Sequence, residues 1–383
     1  MGLSVSLNIF GEKTREPGEC IVLLGVAEEE IVDFYPLLME LTIEASRTEA
    51  AVAKLIFEGR RDEQGKWIVQ DSGIFNDWEP VKIKVAFGDK EEEIMRGFVR
   101  SSKLEYPTDA GSAKVTIECQ DDSYRLDRTH RSKTWGEDTP SSDAQILQEI
   151  VLPYGLTLSS ENGAGQSGIE VNQNGSDIAF LKTRATENGY ELIFSEGEVY
   201  FGPMRLEAEA QPNIMAYAGR QTNCLSINVS TDSHQPDAVA FDVPDETGDG
   251  STETIVEPDL FVMGPEHATS ADSGLEDFIW KMSGETGADA AALTEKAQQK
   301  ANEFDIKKVN ATGELDGMLY GNVLRPGFPV GVDGIGERYN GTYYVDKVVH
   351  KFTYDGYRQN FTLLRNAYGD NLDSAGGLLG GLL

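Results

Sequence analysis

The chain has 383 residues, 39% of them hydrophobic and 26% charged, and 65 Asp and Glu against 33 Lys and Arg give a formal net charge of −32. That length can bury more than one core, and an ordinary apolar fraction excludes a disordered polymer. So negative a surface repels phosphate backbones and excludes nucleic-acid sequence recognition, and no apolar run approaches membrane-spanning length, so no membrane partner is expected.

The acidity itself fits plain solvation, a saline habitat, or a channel wall past which a polyanion slides without sticking. Cys20, Cys119 and Cys224 are far apart and form no CxxC pair, which fits a reducing compartment or at most one incidental bridge. The N-terminus has no basic start followed by an apolar core, so no secretion signal is expected and assembly in the cytoplasm is.

From Ser4 to about Ser132 the pattern is that of strands. "YPLLMELTIEAS" alternates through Leu37, Met39, Leu41 and Ile43; "AVAKLIFE", "KWIVQD", "VKIKVAF", "IMRGFVRSSKLEY" and "SAKVTIECQD" follow, with turn signals at 62–65, 88–90 and 108–111. Period-two alternation with short polar turns predicts a small antiparallel barrel over residues 1–132, closure being the way to avoid exposed edges.

The pattern changes over residues 133–210, which read as a small α/β domain. Ser142 and Gln145 form a capping box that opens the helix "DAQILQEIVL", stopped by Pro153. "GLTLSS" and "GIEVNQ" read as strands. Ser176 caps a second helix with Ile178, Leu181 and Ala185 on one face, and Gly189 ends it. "YELIF" and "EVYF" flank Glu196-Gly197 as a tight hairpin. This second helix is expected to brace the barrels.

Strands resume over 211–368 with "CLSINVST" and "AVAFDVP", then a turn-rich acidic insertion at about 245–307. Within it, "ADAAALTEKAQQKANEF" predicts a helix with Leu293, Ala297, Ala301 and Phe304 on one stripe. "KKVNATGELDG", "PGFPVGVDG" and "GTYYVDKVVHKFTYDGYRQNFTLLRNA" complete a second barrel. Residues 369–383 form a Gly/Leu tail, whose Leu378, Leu379, Leu382 and Leu383 are candidates for docking on a partner. The expected fold is therefore mainly β with an α+β insert: two small antiparallel β-barrels linked by a small α/β domain. Two like modules hint at internal duplication, without a residue-level repeat.

Chemistry-bearing motifs are scarce. His130, His234, His267 and His350 have no second ligand at metal spacing and read as surface or packing residues. "GAGQSG" has the wrong spacing for a nucleophile elbow, and no phosphate-binding glycine loop occurs. Asp245, Thr247, Asp249 and Gly250 fall at positions one, three, five and six of a calcium loop, but the twelfth is Val256, with Glu257 one step late and Pro244 leading in. A solvated acidic loop is the better reading. Trp67, Trp78, Tyr343 and Tyr344 sit in strand patterns and are expected in cores. No catalytic, cofactor or metal residue is assigned, and no enzyme activity is expected.

The run "DAQILQEIVLPYGLTL…VNQNGSDIAFLKTRATENGYELIFSEGEVYFGP" resembles the late control protein D family, the baseplate hub proteins of contractile phage tails, which are related to the hub half of type VI secretion spike proteins. "IMRGFV" and "IECQDDSYRLDRTHRSKTW" before it, and "LRPGFPVGVDGIGERYNGTYYVDKVVHKFTYDGYRQNFTLLRNA" after it, are similar to that family's two barrels. The likeness covers roughly Phe34 to Asp242 and Ile306 to Tyr368. It implies a homotrimeric ring that joins a sixfold tail tube to a threefold spike, with tube, spike and baseplate wedge proteins as partners. The chain lacks a lysozyme-like domain and a long β-helix, so a separate spike is implied. A tail-tip cell-wall hydrolase or a carbohydrate- or calcium-binding adhesin is the alternative.

Overall fold

The computed structural model describes residues 18–108, 110–244, 251–269, 276–283 and 290–372. The tail leucines 378, 379, 382 and 383, the first 17 residues and the calcium-loop pattern positions 245–250 lie outside them.

The first module is built from β1 (Gly18–Leu24), β2 (Leu38–Ser46), β3 (Val52–Glu58), β4 (Pro80–Phe87), β5 (Lys90–Glu105) and β6 (Lys114–Asp121). Alternation decides its faces: Leu41, Ile43, Ala53, Leu55, Ile83, Val85, Val115 and Ile117 are buried in one core, while Thr42, Glu44, Lys54 and Glu118 point the other way. One expected strand does not form. "KWIVQD" folds into turns, because Asp71 Oδ2 accepts the Trp67 N–H at 2.9 Å and the Asp71 N–H returns to the Trp67 carbonyl at 3.1 Å. A local side-chain acceptor has displaced the sheet ladder.

The α/β domain comprises β7 (His130–Trp135), α1 (Asp143–Val151), β8 (Val171–Ser176), α2 (Asp177–Asn188), β9 (Glu191–Ser195) and β10 (Glu198–Gly202). The capping box at Ser142 and Gln145 is present, and Ser176 caps α2 through the Ala179 N–H. Gly189 closes α2 in the left-handed region, φ 65°, and Glu196 and Gly197 turn the hairpin with φ 53° and 79°, the signs that a type I′ turn requires. Ile178, Leu181 and Ala185 are buried in the domain's own core with Leu147, Ile150 and Phe201.

The second module follows: β11 (Gln211–Met215) and β12 (Cys224–Thr231), then β13 (Ala238–Pro244), β14 (Ser251–Val256) and β15 (Ile279–Lys281) with helix α3 (Ala290–Ile306), then β16 (Val309–Asp316), β17 (Pro329–Asp333), β18 (Gly341–Thr353) and β19 (Gly356–Arg365). The strand at "AVAFDVP", expected in the barrel, pairs instead with β14 and β15 in a separate sheet, so the insertion begins with β13 and ahead of residue 245. The α3 stripe packs Leu293, Ala297 and Ala301 onto Val239, Phe241 and Val256, giving the insertion its own core.

The fold is mainly β, with two largely antiparallel β modules and an α/β domain between them, and the modules are joined edge to edge. One 13-stranded sheet runs β12-β16-β19-β18-β2-β3-β6-β5-β4-β1 and ends on Glu29–Glu30, with β17 paired to β18 and β11 parallel to β17. At the seam β18 lies antiparallel to β2, His350 opposite Ile43 and Phe352 opposite Leu41. Phe352 and Tyr357 stack at 4.3 Å inside the first module's core, although both belong to the second module's hairpin.

Candidate functional site

The three units converge on a buried ionic anchor beside the seam. A register shift in β18 between Val345 and Lys347 coincides with the placing of Asp346 against β2, where Arg47 Nε donates to its Oδ1 at 2.6 Å. Such irregularities re-aim a side chain without ending the strand. The same guanidinium donates to Glu191 Oε1 of β9 at 3.1 Å, and Tyr344 Oη of β18 donates to Glu191 Oε2 at 2.8 Å. Arg205 extends the anchor: Nε donates to the Gly327 carbonyl at 2.9 Å, and its guanidinium lies 3.7 Å from the Phe328 ring centroid.

Glu191 and Tyr344 are nearly inaccessible. Burial holds the Glu191 carboxyl above the usual range even though Arg47 opposes it. Burial also works against the Arg47 charge, yet Glu191 and Asp346 hold its pKa above the ordinary arginine value. Buried pairs of this kind add little net stability, but losing one member strands the other and costs roughly 3–5 kcal/mol. The anchor therefore fixes geometry: it ties β2, β18 and β9 at one point. β9 and Arg205 thus tie the domain to the two modules, while α2 buries its apolar face in its own unit and meets α3 of the insertion at its last turn, where Gln299 Nε2 donates to the Glu187 carbonyl at 2.9 Å.

On the face of the continuous sheet away from the two cores, charges are matched across strands. Lys347 pairs with Glu44 and Lys351 with Glu40 (3.6 Å) across the seam; Lys54 pairs with Glu118 (3.7 Å) and Arg358 with Glu314 (3.8 Å) on either side. Each pair is worth at most ~1 kcal/mol, but together they make this face compensated in a strongly acidic chain.

A cleft of about 440 Å³ opens between the seam and the α/β domain, lined by Arg96, Asp121, Lys182, Phe194, Arg325 and His350 among others. Asp121 accepts the Ala51 N–H at 2.6 Å and the Ser123 N–H at 3.0 Å, and burial pushes its carboxyl up to about 6. His350 Nδ1 lies 2.8 Å from Tyr357 Oη; burial pushes its pKa down to about 3, so it is neutral.

The other histidines are dispersed: His267 Nε2 meets Asp305 at 3.0 Å, His234 stacks on Phe278 at 5.0 Å, and His130 starts β7. Among the described residues no group of three or more His, Cys, Asp or Glu is arranged around a metal position. Val256, the twelfth position of the calcium-loop pattern, is a core residue of β14 paired with Val239, which is incompatible with a loop ligand. The three thiols are free; burial pushes Cys20 and Cys119 up to about 12 and Cys224 to about 11. Tyr343 and Tyr344 are core residues as expected, and Trp78 stacks on Tyr124 at 4.2 Å. Trp67 and Trp78 depart from that expectation: both are only half-buried, Trp67 at the rim of the first module and Trp78 in the turn before β4. No helix of the described residues is long and apolar enough to cross a membrane.

The fold of the chain, two β modules sharing one sheet with an α/β domain at the junction, is similar to that of solved phage tail proteins. The 43 kDa tail protein of prophage MuSo2 from Shewanella oneidensis superposes with a TM-score of 0.68 at 11% identity, covering 91% of this chain and 99% of that one. A tail protein from Neisseria meningitidis gives 0.61 at 13% identity, covering 91% and 97%. An E. coli type VI secretion component, described as structurally similar to the phage T4 tail proteins gp27 and gp5, gives 0.51 at 11% identity, covering 87% and 75%. In sequence, residues 20–354 match the family described as the Alg8 N-terminal domain, and the chain belongs to that family. No curated protein matches the chain.

Proposed function

We propose that the protein is a structural hub subunit of a contractile tail or a related injection device, of the kind that the resemblance to the late control protein D family implies. Three copies would form a ring between a sixfold tube and a threefold spike. One observation carries this reading: a single chain holds two β modules fused through β2 and β18 into one sheet, so three chains would offer six modules. The anchor at Arg47, Glu191 and Asp346 supports it, because a ring bearing mechanical load needs modules that do not swivel. The tail-protein fold of the neighbours supports it too.

In this reading the domains divide near residues 133, 211 and 369, and Leu378, Leu379, Leu382 and Leu383 dock on a tube, spike or wedge protein. The chain acts as scaffold rather than catalyst, is assembled in the cytoplasm and ends in the baseplate of a virion or injection particle. Native mass spectrometry of the protein, alone and with its spike, tests the proposal. A trimer in either sample is expected; a stoichiometry not divisible by three in both would refute it.

A further inference from the structure

Away from the seam, one end of the first module carries an open cleft of about 740 Å³. Its walls are aromatic: Trp67 and Tyr106 stand with ring centroids 4.9 Å apart and planes inclined at 50°, and Pro107 follows directly. The Arg61 guanidinium lies 4.5 Å from the Trp67 ring centroid. Among the described residues no carboxylate pairs with Arg61, whereas its neighbour Arg60 is engaged by Glu58 at 3.0 Å.

The frame of this cleft is set by hydrogen bonds. Asp62 Oδ1 accepts the Gln64 and Lys66 N–H groups at 2.9 and 2.8 Å, Asp71 holds the Trp67 N–H, and the Gln70 amide donates to Tyr106 Oη at 3.0 Å. These are the turns that form in place of the strand expected at "KWIVQD", and they bring Trp67 to the rim. Tyr106 is 52% exposed, and Leu104, two residues earlier, is 44% exposed. An apolar ridge of this kind is uncovered in the free chain.

We propose that this cleft binds an extended, proline-containing acidic peptide of a partner protein. Inclined aromatic rings make ridges between which proline rings of a polyproline II segment pack, at low ordering cost because that segment is already stiff. A guanidinium stacked on an indole keeps its in-plane N–H fork available, and a carboxylate matches that fork in bidentate fashion. In a chain of net charge −32, an arginine without a carboxylate is a specific electrostatic feature. A polyhydroxylated sugar fits less well. It needs several unengaged polar groups on the walls, and here Glu58 and Arg60 pair with each other, while Gln70 Oε1, which has no partner, is buried and not on the walls.

Calorimetric titration of the full chain with a blocked peptide alternating Glu with Pro-Pro tests this. Saturable binding is expected, weakened about tenfold by Arg61→Gln, a change of ~1.4 kcal/mol, and lost in Trp67→Ala. Trp67→Phe, which keeps an aromatic ridge if the alanine variant misfolds, is expected to bind within a few-fold of the parent. The analogue with Ala-Ala for Pro-Pro should not bind. The proposal is overturned by no binding to the parent chain, by equal binding of the alanine analogue, by binding unchanged in Arg61→Gln, or by preferential binding of oligogalacturonate.

Discussion

The two β modules solve the same packing problem with different chemistry. The first is dry: apart from Asp121, which sits with its neighbours Asp122 and Ser123 on the way to the α/β domain, its own interior residues are Val, Leu, Ile, Phe and Ala with Met95 and Cys119. The second buries Asp316, Asp333, Asn340, Gln359, Arg365 and Asn366 beside its apolar core. Arg365 is fully inaccessible and donates to the carbonyls of Met263, Asn340 and Gly369, with its pKa lowered by burial. The difference follows from what each module carries. The second must hold the connections to an insertion and the segment that follows β19, and loop carbonyls need donors that no ladder supplies. The dry module is also the less self-contained, since Phe352 and Tyr357 of its partner complete its core.

The largest blow to both is expected from the unit between them. Leu181→Asp puts an unpaired carboxylate into the α/β core, a cost of several kcal/mol; soluble expression should be lost, and a variant that melts and assembles like the parent would contradict the placement of α2. Arg365→Met should destabilise the second module by roughly 3–5 kcal/mol, because the freed carbonyls remain buried. Hydrogen exchange should then rise first around residues 339–341 and 263, not in β3 or β6. Phe352→Ala should cost about 3 kcal/mol and, although the residue belongs to the second module, loosen protection of β2 and β3. If only second-module amides respond, the shared core is wrong.

The smallest effect is a pH dependence of the dry module. The folded-state pKa of Asp121 is about 6, above the ~3.9 of a free carboxyl. Its contribution is therefore fully present below about 4 and lost as pH rises towards 6, amounting to up to ~3 kcal/mol in all. Lowering the pH from 7 to 5 should raise the melting temperature, in the same sense as relief of the repulsion within a chain of net charge −32. Asp121→Asn should flatten that rise; an identical slope in the variant would assign it to net charge alone.

Much of the local structure was legible from contiguous residues. The capping box at Ser142, the Ser176 cap, the Gly189 stop and the Glu196-Gly197 turn each depend on neighbours within four positions, and each formed where its chemistry sits. Strand faces were legible too, since Leu41 and Ile43 against Thr42 and Glu44 is a period-two pattern set by burial. The exception, "KWIVQD", had the composition of a strand, but Asp71 offered the Trp67 N–H a nearer acceptor. That loss of a strand made the Trp67 cleft, which no periodicity announced.

What only the tertiary structure decided is which edges meet. Arg47 and Asp346 lie 299 residues apart, and nothing near either residue specifies the other. Their pairing follows from the register of β2 on β18 and from the irregularity that aims Asp346. Glu191 was one of many carboxylates in an acidic chain until three elements enclosed it. Local signals survive in sequence because they act over a few bonds, whereas a seam between modules is selected by the burial of surfaces that come together only when the whole sheet forms.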